Sequence, residues 1–196
     1  MSLTETPICN FGEKIKEFKL ISTEDTFISL KDIKGQNGTL VMFICNHCPY
    51  VKAVIKELVD ITNKLSKIGV NSVAIMSNDV NNYPEDSFEN MKKFAKINNF
   101  KFPYLYDETQ KIAQNYGAVC TPDFFGYNKN NELQYRGRVR EMKNLKPILD
   151  GKNDLLNAME LIAKTSNGPE QQFPSMGCNI KSVSYTHLTL PTICSV

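Results

Sequence analysis

Gly38-Thr39-Leu40-Val41-Met42-Phe43-Ile44-Cys45-Asn46-His47-Cys48-Pro49 is the stretch that decides the fold. Its first seven residues read as a strand buried on both faces of a parallel sheet. After Pro49, apolar side chains at Val51, Val54, Ile55, Leu58, Ile61, Leu65 and Ile68 fall at helical spacing. A C-x-x-C at this strand-to-helix junction is expected to place the first thiol, Cys45, at the exposed amino end of a helix. Unpaired N–H groups and the helix dipole there favour a thiolate. A thiolate is the attacking species in disulfide exchange, and Cys48 is close enough to resolve the mixed disulfide.

C-x-x-C is also half of a structural zinc site, which needs a second pair of sulfur or imidazole ligands. Cys9, Cys120, Cys178 and Cys194 are scattered singly, and His47 and His187 make no second cluster, so neither a metal nor another cofactor is expected. Two cysteines acting only as small core residues would sit oddly beside Asn46, His47 and Pro49.

A chain of 196 residues is large enough to form one domain around a real core. Its net charge of +2 gives no reason to expect nucleic acid or an anionic membrane as partner. The first seven residues have neither a basic nor an apolar leader region, and no stretch approaches the ~20 apolar residues of a membrane span. A cytoplasmic protein is therefore expected, with thiols reduced at rest and used for catalysis. Residues 1–181 form the expected domain. Residues 182–196 are set aside as a non-native tail, because 183–192 resemble a translated sequencing-adapter read-through and lack periodicity; His187 and Cys194 receive no role.

Along the chain, 15–22 and 26–30 alternate around Thr23-Glu24-Asp25 as an edge hairpin. Residues 70–76 read as a second buried strand. A helix bearing Phe88, Met91 and Ala95 follows a polar, turn-rich segment. Residues 102–106 read as a short strand, and Asp107 with Gln110 as a capping box for a helix carrying Ile112, Ala113 and Tyr116. Residues 123–127 and 132–138 flank Asn128-Lys129-Asn130-Asn131 as a second hairpin. A last helix carries Leu155, Leu156, Met159 and Ile162 and ends at Asn167-Gly168-Pro169. The fold class is α/β: a central mixed sheet flanked by helices, with an N-terminal β-hairpin. Such a sheet carries its site beyond the carboxyl ends of its strands, where the C-x-x-C falls.

Four blocks carry a resemblance: Phe43-Ile44-Cys45-Asn46-His47-Cys48-Pro49-Tyr50-Val51; Tyr104-Leu105-Tyr106-Asp107; Tyr116-Gly117-Ala118-Val119-Cys120-Thr121-Pro122-Asp123-Phe124-Phe125; and Ser175-Met176-Gly177-Cys178-Asn179-Ile180-Lys181. In this order they resemble the peroxiredoxin-like, C-x-x-C branch of the alkyl hydroperoxide reductase/thiol-specific antioxidant superfamily, over nearly all of 18–181. The resemblance implies a thioredoxin-like fold, with Thr121-Pro122 as a cis-proline segment facing the cysteines and bordering the substrate groove. It implies a thiol–disulfide oxidoreductase or a thiol peroxidase. The partners would be a protein or small-molecule disulfide, or a peroxide, together with an upstream thiol reductant.

Aligned on Cys48, the family's P-x-x-x-T-x-x-C pattern has Val41 in the proline position and Cys45 in the threonine position. Arg136, Arg138 and Arg140 cannot be assigned the role of polarising a peroxide. Dithiol exchange through Cys45 as nucleophile is therefore the expectation, with a peroxidase using Cys48 as the alternative. A redox sensor or a binding module without turnover remains open. His47 is expected to stabilise the Cys45 thiolate when protonated and so to raise the potential above thioredoxin's ~−270 mV. Cys120 reads as an accessory thiol or a packed core residue, Cys178 as a resolving thiol or an inert residue of an irregular tail. Cys9 has no supporting context, and Tyr50 either shapes the groove or packs.

Overall fold

The computed structural model describes residues 3–148 and 152–182. In chain order the strands are β1 (Leu3–Glu5), β2 (Lys19–Ser22), β3 (Phe27–Ser29), β4 (Gly38–Phe43), β5 (Val70–Met76), β6 (Tyr104–Tyr106), β7 (Cys120–Thr121), β8 (Asp123–Asn128), β9 (Leu133–Arg136), β10 (Met142–Lys143), β11 (Lys146–Pro147) and β12 (Met176–Asn179). The helices are α1 (Leu30–Ile33), α2 (Pro49–Ser66), α3 (Phe88–Ile97), α4 (Lys111–Tyr116) and α5 (Asp154–Thr165).

Seven strands form the main sheet in the order β3-β2-β6-β5-β4-β8-β9. β4, β5 and β6 are parallel, and antiparallel pairs extend the sheet on both sides. This mixed sheet with its N-terminal hairpin is the thioredoxin-like architecture expected.

β4 explains the two-layered core. Strand side chains alternate between faces: Leu40 and Met42 join α2 and α5 in one apolar cluster, while Val41 and Phe43 join Phe125, Tyr116 and Ile75 in the other. Burial on both sides is why the strand is apolar without alternation. α2 buries Val51, Val54, Ile55, Leu58, Ile61 and Leu65 as the spacing requires, but ends before Ile68, which is exposed. In the second hairpin, Asn128 Oδ1 accepts the Asn130 and Glu132 N–H groups at 2.9 and 3.0 Å, and Asn131 takes the left-handed conformation.

Three expectations are corrected. The expected Asp107–Gln110 capping box is absent: Gln110 is itself the N-cap of α4, in left-handed backbone, and its amide donates to the carbonyls of Ser77 and Lys181. Asp107 instead accepts from the Ser77 hydroxyl at 3.0 Å and the Ala113 N–H at 2.9 Å. α5 stops at Thr165, with left-handed Ser166 as its C-cap, before the expected Asn167-Gly168-Pro169 signal. The segment bearing Cys178 is not irregular. It is β12, antiparallel to both β1 and β7 in a three-stranded second sheet. The expected non-native tail lies almost wholly outside the described residues, as do His187 and Cys194.

Candidate active site

β4 delivers the chain to the motif, and α2 begins immediately after it. Cys48 is the N-cap of α2, extended at φ −62° and ψ 123°, with Pro49 following. Proline disfavours helical backbone in the residue before it and fits the first helical position, so Cys48-Pro49 fixes where the helix starts. The two sulfurs are not joined in a disulfide. Both are also buried, Cys45 at 1% and Cys48 at 0% exposure, so the exposed Cys45 expected from the sequence is not found.

One residue touches both sulfurs. Thr121 Oγ1 lies 3.3 Å from Cys45 Sγ, and the Thr121 carbonyl oxygen lies 3.1 Å from Cys48 Sγ and accepts its S–H when that thiol is protonated. The Thr121–Pro122 bond is cis, as the resemblance implied.

The sulfurs differ in what surrounds them. The Cys48 thiol is pulled down to about 5 by a bond from Cys45, with the backbone N–H groups of Val51, in the first turn of α2, and of Cys178 also lowering it. The Val51 N–H is one of the donors that a helix start leaves unpaired. Cys45 moves the opposite way: it donates to Cys48, it is buried, and the Asp86 carboxylate repels its ionised form. The Cys48 thiol is thus lowered and the Cys45 thiol raised, the opposite of the order expected from the sequence.

Asp86 was not anticipated. It is fully buried and holds the motif loop from behind. Its Oδ1 accepts the N–H groups of Asn46 and His47 at 2.8 and 3.2 Å, and its Oδ2 accepts from His47 Nδ1 at 2.6 Å and Asn78 Nδ2 at 2.8 Å. Burial opposes the carboxylate, yet the bonds from His47 and Asn78 hold its pKa below the usual range. The same bond raises His47, whose ring stacks on Tyr83 at 5.5 Å between centroids. The charge expected to stabilise Cys45 is thus neutralised by Asp86. Tyr104 completes the cradle, donating to Asn46 Oδ1 at 3.0 Å. No spacing rule links Asp86 to the motif. The only hint was a polar segment after a buried strand.

Among the described residues, Cys45, His47 and Asp86 bring ligand atoms within 4.8 Å of one another, a set that could hold a metal ion. Three donors, two of them already bonded to each other, fall short of a closed tetrahedral structural site. Cys120 is buried, its thiol pushed up by burial, with its S–H directed to the Pro122 carbonyl at 3.7 Å. Cys178 is brought beside Cys48, and burial and the charge on Cys48 raise its thiol to about 11. Cys9 lies apart, and Tyr50 packs against the core. Arg136 pairs with buried Asp123 at 2.9 Å and donates to the Gly117 carbonyl at 2.7 Å. Arg138 pairs with Asp154, and Arg140 with Glu57.

The AhpC/TSA family model matches residues 11–142. A conserved protein from Geobacillus kaustophilus of known crystal structure is 40% identical and superimposes with a TM-score of 0.89, over 94% of this chain and 98% of that one. A candidate peroxiredoxin, bcp, of Coxiella burnetii is 26% identical over 115 residues, 59% of this chain and 71% of its own. The thioredoxin domain of a thiol-disulfide oxidoreductase from Bacteroides vulgatus shares the fold at 17% identity and a TM-score of 0.60, over 78% of this chain and 97% of that domain.

Proposed function

The chain belongs to the AhpC/TSA family, and on that premise we propose that it is a thiol–disulfide oxidoreductase working through the Cys45–Cys48 dithiol. The observation that carries this reading is the buried C-x-x-C at the start of α2, with Cys48 at the N-cap and both sulfurs against the cis Thr121-Pro122 segment. The lowered Cys48 thiol supports Cys48 as the attacking group. The Cys48 thiolate attacks one sulfur of a substrate disulfide and expels the other as a thiolate. Cys45 then attacks Cys48 in the mixed disulfide, releasing the second substrate thiol and leaving a Cys45–Cys48 disulfide. A thiol reductant, as in the cytosol, returns the pair to its dithiol form.

A peroxidase is the second reading, because a thiolate at Cys48 would also attack peroxide. The resulting sulfenic acid would condense with Cys45 and release water. Two features favour the first reading. A thiol stands where the family's threonine hydroxyl would meet the peroxide, and Arg136 is held by Asp123 and Gly117.

Turnover of a small disulfide, regenerated by dithiothreitol, separates the roles. Cys48→Ser should abolish it. Cys45→Ser should slow it at least ~100-fold while Cys48 still takes up one equivalent of substrate. Retained turnover in Cys48→Ser, with substrate found on Cys45, would restore Cys45 as nucleophile. Rapid sulfenic acid formation on Cys48, with no reaction toward disulfides, would make the protein a peroxidase.

A further inference from the structure

The residue that touches both sulfurs, Thr121, lies in β7, and the pairing edge of β7 is taken by the chain itself. β12 runs antiparallel to it with Cys178 opposite Thr121 and Asn179 opposite Cys120. The approach is close: a Cβ on Gly177 would lie 2.0 Å from the Thr121 carbonyl oxygen, so no side chain fits between the strands. Main-chain pairing along an open strand edge is how an extended peptide is held by a sheet, and here β12 fills that position with a cysteine. Cys178 and Cys48 lie in the same buried cluster, and Thr121, the residue opposite Cys178, contacts the Cys48 sulfur through its carbonyl at 3.1 Å. Register, close approach and the shared Thr121 neighbour thus agree on one partner.

We propose that Cys178 is a third redox thiol, exchanging with the Cys45–Cys48 disulfide to form a Cys48–Cys178 disulfide that fastens β12 over the site. The thiolate of Cys178 attacks Cys48 Sγ, the Cys45–Cys48 bond breaks, and Cys45 leaves as a thiolate that takes the proton Cys178 gave up. One thiol and one disulfide stand on each side, so no external oxidant enters this step. Once Cys48 is in a disulfide, the negative charge that opposes ionisation of Cys178 in the reduced protein is gone. The inference rests on the proposed function, since substrate must first oxidise the pair.

The test treats the full chain with oxidised glutathione, quenches it in acid, alkylates free thiols and maps tryptic peptides by mass spectrometry. Cys45 and Cys48 share one tryptic peptide and Cys178 lies on another, so a Cys48–Cys178 bond appears as a cross-linked pair. The wild type should give both the internal Cys45–Cys48 disulfide and the cross-link. Cys45→Ser should convert its Cys48–glutathione adduct into the cross-link, with loss of the adduct, and Cys178→Ser should lose the cross-link alone. A Cys45→Ser protein that keeps the adduct with Cys178 still alkylatable overturns the inference and leaves the proposed function standing. A wild type with no internal disulfide of any kind overturns both. If Cys45→Ser does not fold, the wild-type map decides: the cross-link supports the inference and its absence overturns it.

Discussion

At the residue scale, the site depends on which sulfur ionises, and Asp86 shapes that choice. Cys45 and Cys48 were legible as a short local signal, whereas the cis Thr121-Pro122 segment came from the resemblance, because a proline at a strand start does not by itself reveal its isomer. Asp86 was not, because only the path through β5 and the following polar loop brings it behind the motif. The position of Cys45 was misread for a related reason: a C-x-x-C does not reveal which cysteine becomes the N-cap. Asp86→Asn should cost about 3–5 kcal/mol by leaving a buried network half-paired, measured by denaturant unfolding. It should also lower the pKa of His47, followed by NMR titration. The sign follows from the pair. His47, raised above its unfolded value, stabilises the fold fully below that value, and the contribution is lost as pH rises through the folded pKa. Asp86, held low, contributes above its unfolded value and loses this as pH falls through the folded pKa. An unchanged His47 titration would mean that the Asp86 bond does not govern the ring. A second prediction concerns Cys48. Its alkylation by iodoacetamide should be nearly constant from pH 6 to 8 and fall only near pH 5. A rate still climbing toward pH 9 would place the proton back on Cys48.

At the element scale, legibility followed burial. β4 and α2 were readable because a doubly buried strand and a one-faced helix each impose a long pattern. β12 was not, since Met176-Gly177-Cys178-Asn179 shows no alternation and becomes a strand only by pairing with β1 and β7. The start of α4 failed similarly: Gln110 bonds to distant carbonyls instead of closing a local box. Gly177 is what lets β12 lie against Thr121. Gly177→Ala should cost about 1–3 kcal/mol through forced overpacking and should lift β12 from β7. The readout is faster alkylation of Cys178 in the native protein, together with faster amide exchange in β12. An alanine variant as protected as the wild type would show that β12 can shift without loosening.

At the scale of the whole molecule, the site couples redox state to stability. The thiol of Cys48 ionises at about 5 in the fold and near 9 when unfolded. This contribution is complete above the unfolded value and vanishes as pH falls through the folded one. Oxidation to the Cys45–Cys48 disulfide removes the ionisable thiol and with it the contribution. The disulfide has its own effect on the unfolded chain, through closure of a short loop, but that effect does not depend on pH. Cys45, raised in the fold, stays protonated in both folded and unfolded states below pH 8 and adds no slope. The stability of the reduced protein relative to the oxidised one should therefore grow by about 2 kcal/mol between pH 5 and pH 7. For a chain of this size that is roughly 4–8 °C in the difference between their melting temperatures. Calorimetry of both forms across this range measures the slope free of the loop term. A difference in Tm that stays flat with pH would remove the folded thiolate at Cys48, and with it the nucleophile on which the proposed exchange depends.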